Sequence, residues 1–251
     1  MSQTILITGG TGKFGRKFVE HFVRKQWQVL FTSTSDARAQ DFMADLGQPD
    51  NAAAIITDLT VPASATDLIQ SIKDRGYAVN HLVNNARSLS SLETDSLGQT
   101  SRENFLSEYL MDVVVPYELS IGLFNARPDQ LRTITNIGSQ YGVVAANPHL
   151  YDNYPKQSPI HYGVAKAALG HLTKELAVRM AGEGIRVNCI AFGGVEGRVD
   201  EAFKARYAEL TPSRRMLSES EIVGPLDFLV QDSSSSVTGQ TLVADGGWSI
   251  W

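Results

Sequence analysis

The sequence predicts a doubly wound α/β fold: a parallel sheet of about seven strands with helices on both faces. Short β-rich runs alternate with longer amphipathic segments, which implies parallel strands joined by right-handed crossovers. The runs 5–7 and 29–31 are entirely apolar, as expected of strands buried on both faces. The expected strands are 5–8, 28–32, 53–57, 81–84, 132–137, 186–191 and 241–243, and the main expected helices are 14–25, 63–75, 103–125 and 161–180.

Composition predicts a single domain spanning residues 1–251, because 43% hydrophobic residues can form one sizeable core and no linker or repeat divides the chain. The net charge of -5 provides no basic surface for nucleic acid or an anionic membrane. The only cysteine, Cys189, excludes an internal disulfide and favours a reducing compartment. Since neither a leader segment nor a membrane-spanning apolar run is found, the sequence predicts a cytoplasmic protein. The five histidines lack metal-ligand spacing, so no metal site is expected.

A glycine-rich turn follows the first expected strand and precedes the first expected helix. Gly9, Gly12 and Gly15 fit the spacing G-x-x-G-x-x-G. Gly9 and Gly15 also fit G-x-x-x-G-x-G, with Lys13 in place of the middle glycine. Glycines allow a pyrophosphate to approach the backbone closely, and a helix N-terminus offers it unpaired N–H groups. The turn therefore predicts a dinucleotide site, with candidate contacts at Gly9, Thr11, Gly12, Lys13, Phe14 and Gly15.

The end of the second expected strand bears on the choice between NAD and NADP. An acidic residue there would accept hydrogen bonds from the ribose hydroxyls of NAD and repel the 2′-phosphate of NADP. The stretch 32–35 is instead uncharged, and its Ser33 and Thr34 are followed by the cation Arg38. Together with Lys13 these residues favour NADP, whereas Asp36 would favour NAD if it reached the ribose.

Tyr162 and Lys166 lie four residues apart near the start of an expected helix, one turn from each other on one face. A neighbouring ammonium favours the phenolate form of tyrosine, so Tyr162 becomes a usable acid or base for an alcohol and ketone pair. Lys166 can also bond the ribose beside the nicotinamide. The spacing alone is common by chance, and it gains weight from the glycine turn upstream.

With these motifs in place, the chain resembles the short-chain dehydrogenase/reductase family over nearly its whole length. The resemblance lies in segments 8–15, 58–59, 84–86, 136–139, 162–166, 186–188, 193–195, 238–240 and 245–247, which occur in the family's order. It implies a Rossmann-type fold and an oxidoreductase that uses NAD or NADP. It also implies that Ser139 hydrogen-bonds the substrate oxygen, that Tyr162 exchanges a proton with it, and that Lys166 holds the ribose and favours the phenolate. The further cofactor contacts implied by position are Asp58 and Leu59 at the adenine, Asn84 and Ala86 beside the cofactor, and Gly193 and Val195 near the nicotinamide.

Three residues depart from the family's pattern. Arg87 replaces the glycine that ends the Asn-Asn-Ala-Gly segment, and Phe192 replaces a proline after the sixth strand. Asp112 stands where the family usually has an asparagine that helps a proton relay. Because an ionised aspartate accepts hydrogen bonds but cannot donate them, Asp112 is a candidate catalytic residue whose support of the usual relay stays open.

The interval from Ser139 to Tyr162 spans 23 positions, which is long for the family's short branch. The two-domain nucleotide-sugar branch has such an interval, but 251 residues leave no room for its C-terminal domain. We therefore expect the short branch, with an insertion at about 145–160 over the active site, where loops usually set specificity. Its polar and aromatic residues predict a hydroxylated substrate such as a sugar, unless the stretch packs against a second subunit or is solvated. The candidate substrate contacts are Ser139, Tyr141, His149 and Tyr154.

The leading functional hypothesis is NAD(P)(H)-dependent interconversion of a polar secondary alcohol and a ketone. Two alternatives stay open: a sugar epimerase or dehydratase that retains its cofactor, and a non-catalytic dinucleotide-binding subunit. Segments 136–142 and 245–250 resemble family members that modify flagellin and surface glycans in bacteria. The family resemblance implies a homodimer or homotetramer formed through the helix carrying Tyr162 and the C-terminal strand, and the apolar ending 248–251 fits burial at such a contact.

Overall fold

The structure is a computed structural model that describes residues 3–127, 129–197 and 199–250. The expected domain limits and the apolar ending include Met1, Ser2 and Trp251, which lie outside the described residues. The strands are β1 (Thr4–Ile7), β2 (Gln28–Ser33), β3 (Ala52–Ile56), β4 (His81–Asn84), β5 (Thr133–Ser139), β6 (Arg186–Phe192) and β7 (Thr241–Ala244). The helices are α1 (Lys13–Arg24), α2 (Asp36–Asp45), α3 (Ser64–Asp74), α4 (Arg102–Tyr109), α5 (Val115–Ala126), α6 (Tyr154–Gln157), α7 (Ile160–Met180), α8 (Glu201–Glu209) and α9 (Val223–Val230).

The strands form one parallel sheet in the order β3-β2-β1-β4-β5-β6-β7, which confirms the predicted fold class. The chain adds β2 and β3 on one side of β1 and then returns to add β4 to β7 on the other side. In such sheets a crevice opens at the carboxyl ends of the strands where the order reverses, which is the usual ligand site. Here that point lies between β1 and β4, beside the glycine turn 9–15.

Both faces of the sheet are covered by apolar helices. Leu6 of β1 belongs to the cluster beneath α3, α5 and α7, whereas Ile5 and Ile7 belong to the cluster beneath α1, α2 and α9. This alternation follows from the two-residue period of a strand. Because all three side chains are fully buried, the wholly apolar run is explained by burial on both faces.

The expected helix 103–125 is confirmed as a helical segment, but a π-helical turn interrupts its regular hydrogen bonding. α4 ends at Tyr109, a π-helical turn spans Leu110–Val114, and α5 begins at Val115. Pro116 has no N–H and its ring excludes the carbonyl four residues earlier, so a regular helix cannot pass through this point. The wider turn resolves the conflict by bonding the N–H of Val115 to the carbonyl of Leu110. Asp112 lies within this turn and is buried.

The insertion at about 145–160 folds into a 3-10 turn (Pro148–Leu150) and the short helix α6. Leu150 is fully buried in a small cluster with Tyr207 and Trp248. The guanidinium of Arg206, on α8, donates to the carbonyl of Leu150 at 2.8 Å and lies 3.1 Å from the Asp152 carboxylate. Part of the insertion therefore packs against α8 of its own chain.

Candidate active site

The glycine turn leaves no room for side chains at three of its positions. A Cβ at Gly10 would lie 2.4 Å from the Cβ of Phe31. Gly9 has φ +66°, and a Cβ there would lie 2.9 Å from the Cα of Ala86. A Cβ at Gly15 would lie 2.2 Å from the carbonyl oxygen of Gly9. The amide of Gly12 also donates to that oxygen at 3.0 Å, which closes the turn on itself. Glycine is therefore required by sterics at 9, 10 and 15.

The amino end of α1 faces the crevice without a competing anion. Gly12 is the N-cap residue, no side chain caps the helix, and its first turn has no acidic residue. The first backbone N–H groups of a helix need partners, and its dipole favours negative charge there. The turn and the helix end thus fit the pyrophosphate of a dinucleotide.

Short polar side chains gather at the carboxyl end of β2. The hydroxyl oxygens of Thr11 and Ser33 are 3.2 Å apart. Arg38 is exposed and donates to the Thr34 hydroxyl at 3.0 Å. Asp36 accepts a hydrogen bond from the Gln40 side chain at 2.6 Å, so its carboxylate is directed along α2. The structure thus brings Thr11 of the glycine turn beside Ser33, and it places Thr34 and Arg38, two of the residues that favour NADP, at the same strand end.

Lys13 is placed elsewhere. Its ammonium donates to the carbonyl of Val195 at 3.1 Å and also to that of Glu196, and it lies 3.8 Å from the Glu219 carboxylate. Lys13 therefore joins the glycine turn to the loop that follows β6, instead of joining Arg38. Its predicted role at a phosphate stays a prediction.

Two other predicted cofactor contacts have side chains that face the interior. Leu59 belongs to the apolar cluster beneath α3, and the Asn84 amide donates to the Asn136 side chain at 2.8 Å. Any contact they make with a cofactor would therefore involve their backbone. Asp58 is exposed, and hydrogen bonds from the side chain and backbone of Thr60 hold the pKa of Asp58 below its ordinary value of 3.8.

Ser139, Tyr162 and Lys166 meet where the end of β5 contacts the first turns of α7. The Lys166 ammonium donates to the carbonyl of Ile137 at 3.0 Å and lies 5.9 Å from the centre of the Tyr162 ring. The Ser139 hydroxyl accepts a hydrogen bond from the amide of Tyr141 at 3.2 Å. Within the described ranges no group is hydrogen-bonded to the Tyr162 hydroxyl, which leaves it available to a substrate oxygen.

Asp112 forms a buried ion pair with Lys166. The two charged groups are 2.8 Å apart, and their side chains are only 2% and 7% exposed. Burial alone would lower the pKa of Lys166, but the carboxylate of Asp112 and the neighbouring Tyr162 raise it above 10.5. Lys166 is therefore held as a cation beside Tyr162, as the spacing predicted.

Arg87 brings a second cation to the catalytic tyrosine. Its side chain is exposed, and its guanidinium carbon lies 4.4 Å from the centre of the Tyr162 ring. At this distance a guanidinium is attracted by the electron-rich face of the ring. The replacement of the family's glycine by Arg87 thus adds positive charge at the mouth of the site.

The sequence analysis missed Glu108, a buried glutamate on α4. Glu108 and Asp112 are four residues apart, as are Met111 and Val115, and all four residues are buried. Two acids that share the apolar side of a helix were the signal that could have revealed it. Glu108 shows that the site contains more buried ionisable groups than the family motifs predict.

Two of the predicted substrate contacts, Tyr141 and Tyr154, lie in an aromatic cluster, and a third, His149, faces the solvent. The hydroxyls of Tyr141 and Tyr151 are 2.6 Å apart, and the Tyr154 ring lies 5.9 Å from that of Tyr151. Burial and the neighbouring Tyr151 raise the pKa of Tyr141 far above 10.0, so Tyr141 keeps its proton. His149 is exposed.

Tyr207 fixes the loop that carries Gly193 and Val195. Its hydroxyl accepts from the amide of Gly194 at 2.8 Å and donates to the Gln140 side chain at 3.0 Å. Nothing in the sequence distinguishes this tyrosine from an ordinary helix residue. A Cβ at Gly193 would lie 2.7 Å from the Cα of Asp245, so glycine is required there as well.

A glycine turn that opens on an uncapped helix at the switch point, with a Tyr–Lys pair at the same sheet edge, defines a dinucleotide-dependent oxidoreductase. The family model described as enoyl-(acyl carrier protein) reductase matches residues 13–249. The chain therefore belongs to the short-chain dehydrogenase/reductase family, which confirms the resemblance and the expected enzyme class.

Several relatives match over different parts of the chain. Post-translational flagellin modification protein A of Campylobacter coli is 40% identical over 117 residues, which cover 47% of this chain and 46% of that protein. The 3-oxoacyl-(acyl-carrier-protein) reductase FabG of Salmonella typhimurium is 27% identical over 248 residues, covering 96% of this chain and 95% of that protein. A short-chain dehydrogenase from Leptospira borgpetersenii, solved with bound NAD+, superposes with a TM-score of 0.85 at 28% identity and covers 99% of this chain and 93% of its own.

Two expectations concern features outside this site. Among the helices of the described residues, none combines the length and hydrophobicity needed to cross a bilayer. The described ranges also hold no group of three or more histidine, cysteine, aspartate or glutamate side chains arranged for a metal ion.

Proposed function

We propose that this protein interconverts a polar ketone and a secondary alcohol, with the hydride exchanged with NADPH. The observation that supports it most directly is the placement of Tyr162 and Lys166 beside Ser139, at the sheet edge that carries the glycine turn. A bound nicotinamide supplies or accepts the hydride. In reduction, the Tyr162 hydroxyl gives its proton to the substrate oxygen, and the Ser139 hydroxyl orients that oxygen by a hydrogen bond. Lys166, held as a cation, stabilises the phenolate that Tyr162 leaves behind.

The preference for NADP rests on the end of β2. Thr11 and Ser33 provide hydroxyls, and Arg38 provides a guanidinium that suits a phosphate. Asp36, the residue that would favour NAD, is bonded to Gln40. These contacts support a 2′-phosphate at this position.

A hydroxylated substrate is supported by the polar groups around Tyr162. Tyr141 is a protonated hydroxyl that contacts Tyr151 of the insertion, and Arg87 places a cation over the Tyr162 ring. The Campylobacter relative, by its name, modifies flagellin, and the Salmonella relative acts on 3-oxoacyl groups. We favour the polar substrate, such as a sugar, because an acyl chain would require a more apolar lid than the insertion offers.

Assembly as a homodimer or homotetramer is supported by the outer face of α7. Val164 and Val178 are 45% and 78% exposed. Since they are about four helical turns apart, they lie on the same face of α7. This face also carries the exposed side chains of His171 and Glu175, and we expect a second copy of the chain to cover its apolar side chains. A monomeric mass at micromolar concentration would contradict this part of the proposal.

The test is a turnover assay with NADPH or NADH and three ketones: ethyl acetoacetate, an acetoacetyl thioester and a 4-keto-6-deoxy nucleotide sugar. We expect NADPH to be consumed mole for mole with the alcohol formed, fastest with the keto sugar. Product without net oxidation of NADPH would indicate an epimerase that retains its cofactor. Cofactor binding without turnover of any ketone would indicate a non-catalytic subunit.

A further inference from the structure

Glu108 is a buried carboxyl group that the reaction described above does not use. Its side chain is 1% exposed and lies on α4, next to the π-helical turn. Oε2 accepts a hydrogen bond from the Ser91 hydroxyl, whereas Oε1 is buried and has no partner among the described residues. Because an ionised carboxylate needs more partners than this, the pocket favours the protonated acid.

Asp112 has the same incomplete set of partners. Its Oδ1 accepts from Lys166 at 2.8 Å, but its Oδ2 is buried and unpartnered among the described residues. Burial raises the pKa of Glu108 above 4.5, the Ser91 hydrogen bond opposes this, and the charge of Asp112 raises the pKa of Glu108 further. The negative charge of Asp112 therefore disfavours ionisation of Glu108.

Charged and titratable side chains from several neighbouring elements act on Glu108. The loop after β4 contributes Arg87 and α7 contributes Lys166, and both cations act to lower the pKa of Glu108. His161 packs nearby, but both of its ring nitrogens are used: Nε2 donates to the carbonyl of Ser91 at 2.7 Å, and Nδ1 is 2.9 Å from the Thr100 hydroxyl. His161 therefore fixes Ser91, and Glu108 remains the group able to hold the extra proton.

We propose that Glu108 is the proton store of the catalytic centre and that Asp112 passes its proton to Lys166. The proposal rests on the proposed ketone reduction. In each turnover the Tyr162 O–H bond breaks as the substrate oxygen gains the proton, while NADPH supplies the hydride and its electron pair. Lys166 then gives a proton to the Tyr162 oxygen, Glu108 reprotonates Lys166 through Asp112, and Glu108 takes a proton from water. Alcohol oxidation runs the same transfers in reverse.

The direct test is Glu108→Gln, which keeps the size of the side chain but cannot store the proton. With NADPH and ethyl acetoacetate, or the best ketone of the panel above, we expect kcat for reduction to fall about 10-fold or more, within the range of acid catalysis. KM for the ketone and Kd for NADPH should stay within about twofold, since the residue touches neither ligand. The matched control is Glu103→Gln, because Glu103 is an exposed glutamate on the same helix, and it should leave kcat unchanged.

Two further readouts separate a proton store from a structural role. Proton transfer becomes rate-limiting in Glu108→Gln, so its kcat should slow in D2O by a larger factor than that of the wild type. The kcat of the wild type for reduction should also fall as the pH rises through the raised pKa of Glu108. This fall in kcat should be absent from Glu108→Gln.

Infrared spectroscopy tests the stored proton without turnover. At neutral pH the wild type should show the carbonyl stretch of a protonated carboxyl, and Glu108→Gln should lack it. The proposal would be overturned if Glu108→Gln kept the kcat and the pH dependence of the wild type. It would also be overturned if the wild type lacked the infrared band. If the variant failed to fold, the wild-type band alone would decide. Absence of turnover in the wild type overturns the proposed function and the store with it, whereas absence of the band overturns only the store.

Discussion

The two ends of the cofactor crevice are built in different ways. At the nucleotide end, the glycine turn and the short side chains after β2 form a surface site from residues close in sequence. At the catalytic end, Asp112 and Lys166 come from separate helices and pair in the interior, with Glu108 beside them. Cofactor binding at the nucleotide end therefore depends on steric room for an anion, whereas proton transfer at the catalytic end depends on the balance of buried charge.

The largest effect on cofactor binding is expected from removing the steric room. In Gly15→Ala the new Cβ would lie 2.2 Å from the Gly9 oxygen and 2.7 Å from the Cα of Gly10, so the turn must open. We expect the Kd for NADPH to rise roughly 100-fold, or about 2.7 kcal/mol. Fluorescence titration of the nicotinamide measures this. Gly182→Ala is the control, because a Cβ at Gly182 meets nothing within 4 Å, and unchanged binding in both variants would refute the steric account.

The charge balance is tested by Asp112→Ala. This variant leaves the Lys166 ammonium buried without its carboxylate, so the free energy of unfolding should fall by about 3 kcal/mol. Urea unfolding at fixed protein concentration measures the loss. The control is Asp152→Ala, since the Asp152–Arg206 pair is exposed and should contribute less than about 1 kcal/mol.

The same variant predicts a pH dependence of stability. Without Asp112, burial lowers the pKa of Lys166 below the 10.5 of an unfolded lysine. The folded variant then binds fewer protons than the unfolded chain, so its stability rises with pH toward 10.5. In the wild type the pKa of Lys166 is raised, so this rise is absent. Equal losses in Asp112→Ala and Asp152→Ala at every pH would contradict the buried ion pair.

A smaller effect is expected at the surface of the nucleotide end. Arg38→Ala removes one exposed guanidinium, so we expect the Kd for NADPH to rise about 10-fold, or 1.4 kcal/mol, with the Kd for NADH unchanged. Arg24 is an exposed residue near the end of α1, and Arg24→Ala serves as the control. Equal weakening of NADPH and NADH in Arg38→Ala would show that Arg38 does not bind a 2′-phosphate.

The same contrast explains what could be predicted from the sequence. The sheet, the glycine turn and the Tyr–Lys pair depend on local patterns, so they were predicted with small shifts in their limits. The π-helical turn before Pro116 was missed because the 3.6-residue pattern continues through it, although proline itself forbids a regular hydrogen bond there. Glu108 was missed although its spacing from Asp112 on the apolar side of the helix marked it. The position of Lys13 was missed because it depends on contacts between distant segments, which a single sequence does not show.

The central claim is that the cofactor site and the proton-transfer centre are separate parts of one crevice. Tyr162→Phe tests it most directly, because it removes only the hydroxyl to which no described residue is bonded. NADPH titration and ketone turnover should be measured on the same preparation. We expect the Kd for NADPH to stay within about twofold of the wild type while kcat falls by 10² or more. Retained turnover would contradict the role of Tyr162, and lost NADPH binding would contradict the separation of the two ends.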